Sequence, residues 1–469
     1  MIKALRVTTA IAAALSLGAC ATFDFNIGPS GEASVSQEAA AINAPASWVF
    51  GPQTDAQIAA DWSAVLSDPR LEELIAQALV NNPSLRASAE NIARAEALLN
   101  QSRSSLLPSV SADFAPRLGG ALEGRDLSDS YSGGLSASWE ADLWGGINAG
   151  ILASGYDLES TRAAFESARQ ALIAAVARAY NLAIEADLQI GLTEQTLRAQ
   201  EETFRIVNIR YDLGAASRRE LVLAESDVAS ARDNLVVAKS AKTDAIQALQ
   251  ILLGDYPSGE LAIAADFPTF AQRLGAGTPE EMLRRRPDIL AAEYDVLSAF
   301  QSTRAVKSDS WPSLSLSGSL DTGALNPIDL LNPTAIAYSL GARLADVLFD
   351  GGLSEARIEA ASASQRQALA AYGRAALDAY FDVESALNTI NILDQRRVFV
   401  AQSAEAARET LALADIQYKE GAIDLLDVLT FRQRSFQADR TQIALDRQII
   451  EARIALYLAL GGAEMSSAP

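Results

Sequence analysis

The sequence predicts an elongated protein of mixed α and β structure that contains an internal duplication. Three features lead to this fold class: a repeat of about 205 residues, long proline-free stretches with heptad spacing, and short segments of alternating polar and apolar residues. With 469 residues, the chain has the length for several compact domains or for one very elongated body. The proline-free stretches favour the elongated body.

The repeat is seen in matching short motifs. Asn82-Pro83-Ser84-Leu85 corresponds to Arg286-Pro287-Asp288-Ile289, and each half predicts a helix, two strands and two long helices. The predicted divisions are a leader (1–19), an N-terminal segment (20–70), repeat 1 (71–256), an inter-repeat segment (257–278), repeat 2 (279–462) and a tail (463–469). The first helices are predicted from about Leu71 to Leu106 and from about Pro279 to Lys307.

The long helices are predicted from proline-free stretches in which apolar residues alternate in steps of four and three. A helix from about Ala149 to Tyr211 would be close to 95 Å long at 1.5 Å per residue. The motifs Tyr211-x-x-Gly214 and Tyr418-x-x-Gly421 then mark the points where the chain turns back, because glycine adopts a positive φ at a helix C-terminus without strain. A coiled-coil scaffold of the cytosol is the generic alternative.

Two alternating segments lie between the first and the long helices of each half. They are Ser109–Phe114, Leu135–Trp139, Leu314–Leu320 and Tyr338–Leu344. This period fits tilted strands of a membrane barrel, although a half-buried strand of a soluble protein has the same pattern. Four strands cannot close a useful barrel, whereas three chains supply twelve. Aromatic residues near the strand ends fit either an interfacial girdle or a simple core: Trp139, Trp144, Trp311 and Phe349.

The composition excludes several classes of function. A formal charge of −21 argues against a nucleic-acid partner, since phosphate binding requires a basic face. Histidine is absent, which removes the commonest general base and metal ligand, so we expect neither enzymatic activity nor a cofactor or metal site.

The N-terminus resembles a lipoprotein leader. A positive start with Lys3 and Arg6 precedes the apolar stretch Val7–Leu17, which is too short to span a bilayer. Leu17-Gly18-Ala19-Cys20 resembles a lipobox, which predicts lipidation of Cys20; an ordinary signal peptide with a chance cysteine is the alternative. No apolar run of 18 residues follows the leader, so a membrane crossing would require a closed barrel.

These motifs together resemble the TolC-like outer-membrane efflux proteins, within the NodT or OprM-like lipoprotein branch. The specific matches are Ser138-Trp139-Glu140-Ala141-Asp142-Leu143-Trp144-Gly145 and the paired Tyr-x-x-Gly turns. The resemblance implies a homotrimer with a twelve-stranded β-barrel in the outer membrane, continuous with a periplasmic α-helical barrel.

The resemblance also implies passive conduction, with a periplasmic adaptor protein and an inner-membrane pump of the resistance-nodulation-division class as partners. An exit duct for type I protein secretion is one alternative, and a periplasm-spanning lipoprotein without a channel is another. A copper or silver duct is disfavoured, because Met282 and Met465 are the only methionines after the leader.

The two turns would form the periplasmic tip. By similarity to the family, acidic residues that face the pore at the entrance are expected at Asp427 and Glu220. Many relatives have a second aspartate where this chain has Thr430; Asp424, three residues before Asp427 on the same helical face, could replace it. All three carboxylates also suit solvated helix starts. Arg218 and Arg219 on the first turn, facing acids such as Glu420 on the second, are candidates for a latch that holds the entrance closed.

Overall fold

A computed structural model of the chain describes residues 31–51, 68–119, 128–268, 275–332 and 336–462. The helices are α1 (Gly31–Ala41), α2 (Pro69–Asn81), α3 (Pro83–Ser104), α4 (Gly146–Asp212), α5 (Arg218–Leu253), α6 (Pro279–Arg285), α7 (Pro287–Ser308), α8 (Leu353–Lys419) and α9 (Leu425–Ala459). The strands are β1 (Ser109–Gly119), β2 (Ser128–Ala141), β3 (Ser313–Ala324) and β4 (Ala337–Ala345), with a 3-10 turn at Pro327–Leu331.

Four helices form a long wall. Helix α4 packs against α5 and α9, and α9 packs against α8, so that the order across the wall is α5, α4, α9 and α8. Helices α4 and α8 each contain 67 residues, about 100 Å at 1.5 Å per residue. None of the helices in the described ranges combines the length and the apolar character that a membrane crossing requires.

The prediction of one continuous first helix in each half is wrong. The chain breaks at Asn82 and at Arg286, which adopt extended backbone angles, and new helices start at Pro83 and Pro287. Proline lacks an N–H and disfavours the helical region for the residue before it, but it is well suited to the first position of a new helix. Asn82 caps the second helix by accepting hydrogen bonds from Ser84 N and Leu85 N.

The four strands form one antiparallel sheet in the order β1-β2-β3-β4. Each predicted segment lies within one strand, and all four strands extend beyond the predicted residues. In the first half, β1 continues through Pro116 to Gly119. Because β1 lies at the edge of the sheet, a proline there does not remove a central ladder hydrogen bond.

The main cores lie where short helices cover the upper part of the wall. Leu71 and Leu74 of α2 pack with Tyr180 of α4 and Tyr457 of α9 in one cluster. A second cluster joins α7 and α8 to Val35 and Trp48 of the N-terminal segment. Helix α1 was not predicted from the sequence, because its residues show no clear amphipathic pattern.

Candidate functional site at the helix tips and the sheet

The first tip turn joins α4 to α5. Gly214 has a φ of +70°, and the N–H of Ala215 donates to the carbonyl of Arg210 at 2.7 Å. Ser217 then caps α5 in a reciprocal arrangement: its hydroxyl accepts from Glu220 N at 3.2 Å, and its own N–H donates to Glu220 Oε2 at 2.6 Å. These hydrogen bonds hold the pKa of the Glu220 carboxyl below its ordinary value.

The second tip turn joins α8 to α9 in a similar way. Gly421 has a φ of +77°, and the N–H of Ala422 donates to the carbonyl of Gln417 at 2.8 Å. Asp424 is the N-cap of α9, where its Oδ1 accepts from Asp427 N at 3.0 Å. Both aspartates are exposed, as is Glu420. The structure thus gives Asp424 a capping role, while the Asp427 side chain extends into solvent.

The two tips meet through an apolar cluster and one charged contact. Val207 and Leu221 of the first hairpin pack with Leu425 and Leu429 of the second. The guanidinium of Arg210 lies over the ring of Tyr418, with 5.3 Å between Cζ and the ring centroid. A cation over an aromatic ring contributes about 0.5–1 kcal/mol at an exposed site.

Arg218 and Arg219 are both exposed at the start of α5. Within the described part of one protomer, neither arginine forms an ion pair with an acid of the second hairpin. The latch predicted between the two hairpins is therefore not formed within the described residues of one chain, and a latch between copies of the chain stays a prediction. Tyr211, on the first turn, is partly exposed.

Arg432, which was not predicted from the sequence, joins the two hairpins above the tips. From α9, its Nη1 donates to Thr203 Oγ1 on α4 at 2.8 Å, and its Nη2 donates to Asp415 Oδ1 on α8 at 3.2 Å. Only 11% of its side chain is exposed. On α5, burial raises the pKa of Asp227 and the charge of Arg432 opposes that rise. The available signal was Gln200, a polar residue in an apolar heptad seam, whose Oε1 lies 3.5 Å from Arg432 Nη1.

The sheet has two chemically different faces. Successive side chains point to opposite faces, and the register places apolar residues beside one another on the first face. The exposed members of that face include Val110, Phe114, Leu135, Leu320, Tyr338 and Leu340. The second face is rich in serine, with hydroxyl pairs 2.8 Å apart at Ser109–Ser138 and Ser111–Ser136. An exposed apolar face of this extent indicates contact with lipid or another chain.

Aromatic residues lie where the strands meet the helices. The rings of Trp144 and Trp311 are 5.3 Å apart between centroids. Trp139 Nε1 donates to the carbonyl of Leu106, and Trp144 Nε1 donates to that of Pro312. Phe349, beyond the end of β4, is exposed. Cys20 and the tail 463–469 lie outside the described residues.

Most of the chain matches the profile of a known family. The profile described as outer membrane efflux protein matches residues 74–255 and 278–462, more than half of the chain. The chain belongs to the outer membrane efflux protein family. The family predicted from the sequence is therefore confirmed. Members of this family are channels.

Relatives match this outer membrane efflux protein over most of its length. The pyoverdine export outer membrane protein OpmQ of Pseudomonas aeruginosa is 31% identical over 438 residues, 90% of this chain and 91% of that protein. The cation efflux system protein CusC of Escherichia coli is 26% identical over 407 residues, 86% of this chain and 89% of that protein. The solved open state of the MtrE outer membrane channel of Neisseria gonorrhoeae superposes with a TM-score of 0.82 at 29% identity, covering 90% of this chain and 96% of that one.

These matches establish the general role of this outer membrane efflux protein. It is an outer-membrane channel that serves as the exit duct of a tripartite efflux pump. It lies in the outer membrane of a Gram-negative bacterium and extends into the periplasm.

Proposed function

We propose that three copies of the chain form one closed duct that conducts small molecules passively from a periplasmic pump to the exterior. The observation that carries this proposal is that sheet and wall both end in open edges. Among the residues that the structure describes, strands β1 and β4 each have one unpaired edge, and α5 and α8 each have one free side. When copies of the chain join in a closed ring, β4 of one copy can pair with β1 of the next, and α8 of one copy can pack against α5 of the next. Three copies supply twelve strands, enough for a barrel.

The two faces of the sheet support its placement in lipid. In a transmembrane barrel the outward face is apolar and the inward face is polar. The exposed face of Val110, Phe114 and Leu340 fits the lipid side, and the serine-rich face fits a water-filled lumen. Below the barrel, the 67-residue helices would extend the duct by about 100 Å across the periplasm.

Small molecules are the better candidate cargo than secreted proteins. OpmQ is named for pyoverdine export and CusC for cation efflux, and neither name refers to protein secretion. The partners would be a periplasmic adaptor protein at the tips and an inner-membrane pump of the resistance-nodulation-division class. We assign the chain no catalytic role, because conduction requires none.

Cys20 would carry a lipid anchor beside the barrel. Replacing Cys20 with Ala should abolish labelling by a palmitate analogue, whereas barrel insertion should survive, because a closed barrel is stable in lipid without an anchor. Labelling that persists in Cys20→Ala would contradict the anchor without affecting the duct.

Native mass spectrometry and planar-bilayer recording test the duct itself. We expect a trimer in detergent and discrete single-channel conductance after reconstitution. A well-folded monomer that gives no conductance would instead support a periplasm-spanning structural role and would overturn the proposal.

A further inference from the structure

One face of the helical wall is covered by the short elements around its upper part. Tyr180 of α4 donates to Asp68 Oδ2 at 3.0 Å at the start of α2, and it accepts from Ala264 N at 3.2 Å. Glu384 of α8 accepts from the backbone N–H groups of Val49 and Phe50 at 2.8 and 3.1 Å. If the wall encloses an open duct, as in the proposed function, this covered face is the outer one.

The opposite face carries two adjoining open concavities of about 420 and 600 Å³. Arg178 and Thr389 line both of them, and Arg396 lines the larger one. Arg178 lies two residues before Tyr180, which places it about 160° around α4 from the covered face. Thr389 has the same relation to Asn391, whose Nδ2 donates to the carbonyl of Phe50 on the covered side. The concavities therefore face the lumen.

Arg178 and Arg396, which line these concavities, have no carboxylate partner among the described residues. Arg178 is half-buried, and it forms no ion pair or hydrogen bond within the described part of the chain. Arg396 is exposed, and within the described ranges its side chain makes a long contact, 3.4 Å from its Nη1 to Gln448 Oε1. The chain has 59 acidic and 38 basic residues, so carboxylates outnumber cations overall. Two arginines without a carboxylate partner among the described residues nevertheless lie at one concavity.

The carboxylates around the two arginines are already paired. Asp288 and Asp382 both bind Arg286, at 2.7 and 3.1 Å. Glu451, which lines the larger concavity, pairs with Arg447.

The next acid along the same face, Glu185, also pairs with Arg447. Because these acids have their own arginines, the guanidinium groups of Arg178 and Arg396 stay available to a solute.

For the half-buried Arg178, a partly desolvated guanidinium without a counterion is costly, and a bound anion offsets that cost. Arg396 is exposed and supplies a second guanidinium at the same concavity. Guanidinium is also the side-chain group best matched to carboxylate and phosphate, since its N–H donors form paired hydrogen bonds with two oxygens. From this arrangement we propose that Arg178 and Arg396 form an anion-binding site on the inner wall of the duct. Its ligands are small organic anions in transit that carry carboxylate or phosphate groups. The site is repeated once per protomer.

Block of single-channel current by hexacyanoferrate(III), a compact inert trianion, tests the site. The probe is added on the barrel side, so that it does not pass the acidic tips. We expect concentration-dependent block in the wild type. In the Arg178→Gln/Arg396→Gln double variant, the half-blocking concentration should rise by about tenfold or more, because two charge-assisted contacts are lost. Arg178→Lys/Arg396→Lys keeps the charge and should retain most of the block.

Arg397→Gln is the matched control. Arg397 neighbours Arg396 on α8, but it lines neither concavity and acts on Asp446 instead. Calorimetric titration of the detergent-solubilised wild type with the same trianion measures binding even if the protein does not conduct, so that failure of the duct and failure of the site are distinguished. Absence of binding heat in the wild type would overturn the proposal. Equal affinity in the double glutamine variant, or an equal loss in Arg397→Gln, would also overturn it.

Discussion

The guanidinium of Arg432 donates to the hydroxyl of Thr203 across the junction of the two hairpins, at 2.8 Å. The same side chain reaches Asp415 on the other side, so a single cation joins α9 to α4 and α8. The tip of the first hairpin can therefore move away from the tip of the second only if the Arg432 contacts break or rearrange.

Replacing Arg432 with Met should loosen the tips. The change removes hydrogen bonds of a charged group, each of which contributes about 2 kcal/mol to stability. We expect a higher single-channel conductance and greater entry of vancomycin into cells. Arg434→Met is the control, because Arg434 is exposed and contacts Phe431 on its own helix. Equal behaviour of the two variants would exclude a gating role for Arg432.

The Arg432→Met effect should also depend on pH. Burial already raises the pKa of Asp227, and the charge of Arg432 now opposes that rise. Without Arg432 the folded-state pKa rises further, so the folded tip gains stability as pH falls and Asp227 becomes neutral. The increased conductance of Arg432→Met should therefore decrease in mildly acidic buffer. Adding Asp227→Asn to Arg432→Met should remove this pH dependence.

The capping role of Glu220 can be separated from its charge. Glu220→Gln keeps an acceptor for the Ser217 N–H, as glutamine also completes a capping box, whereas Glu220→Ala loses it. We expect hydrogen exchange at the first turn of α5 to accelerate only in Glu220→Ala. Because the pKa of Glu220 is lowered, its stabilising effect is present above the ordinary glutamate pKa and is lost as pH falls through the lower folded value. Rapid exchange in both variants would show that the charge itself matters.

Asp427→Ala should weaken the preference of the channel for cations and any block by multivalent cations. Asp427 is exposed at the start of α9 and is the residue that the sequence predicts at the acidic entrance. Asp424→Asn removes a neighbouring charge and keeps the N-cap, since asparagine and aspartate cap equally well. The reversal potential in a salt gradient measures the cation preference of each of the two variants. If Asp427→Ala leaves it unchanged, Asp427 does not line the entrance.

Reversing Arg218 and Arg219 to Glu tests a latch between protomers. Exposed ion pairs contribute about 0–1 kcal/mol each, so several such pairs around the tip could still bias its closure. We expect increased conductance or entry of vancomycin. If conductance and drug entry stay at the wild-type level, closure depends on the apolar cluster of Val207, Leu221 and Leu425 and on the Arg210–Tyr418 contact.

Arginine should be tolerated on one face of β4 and not on the other. Leu340→Arg places a charge on the apolar face, which in lipid costs about 2–4 kcal/mol at mid-depth. Ser339→Arg places the same charge on the serine-rich face. We expect heat-resistant assembled protein in membranes for Ser339→Arg and a loss for Leu340→Arg. The reverse order would invert the assignment of the faces.

The sequence was sufficient for the long helices, the strands and the turns, because each has a repeating local pattern. Heptad spacing and absent prolines fix α4 and α8, and the positive φ of Gly214 and Gly421 follows from glycine chemistry. The breaks at Pro83 and Pro287 were missed, since the apolar pattern continues through both prolines.

The candidate site was less predictable, because its decisive contacts join residues far apart in the chain. Arg432 and Thr203 are separated by 229 residues, and Arg210 meets Tyr418 from the other repeat. Local sequence shows which residues are charged but not which carboxylate is free. Asp424, predicted at the entrance, is engaged at its own helix start.

The matched helix lengths have a mechanical consequence. Helices α4 and α8 both contain 67 residues, and their return partners contain 36 and 35. Deleting one heptad from both arms of a single hairpin would leave its tip about 10 Å short of the other. The shortened tip would lose its partner in the apolar cluster and at Arg432. The lengths of the two hairpins are therefore coupled. The length of the helical wall can change without separating the tips only if both hairpins gain or lose the same number of helical turns.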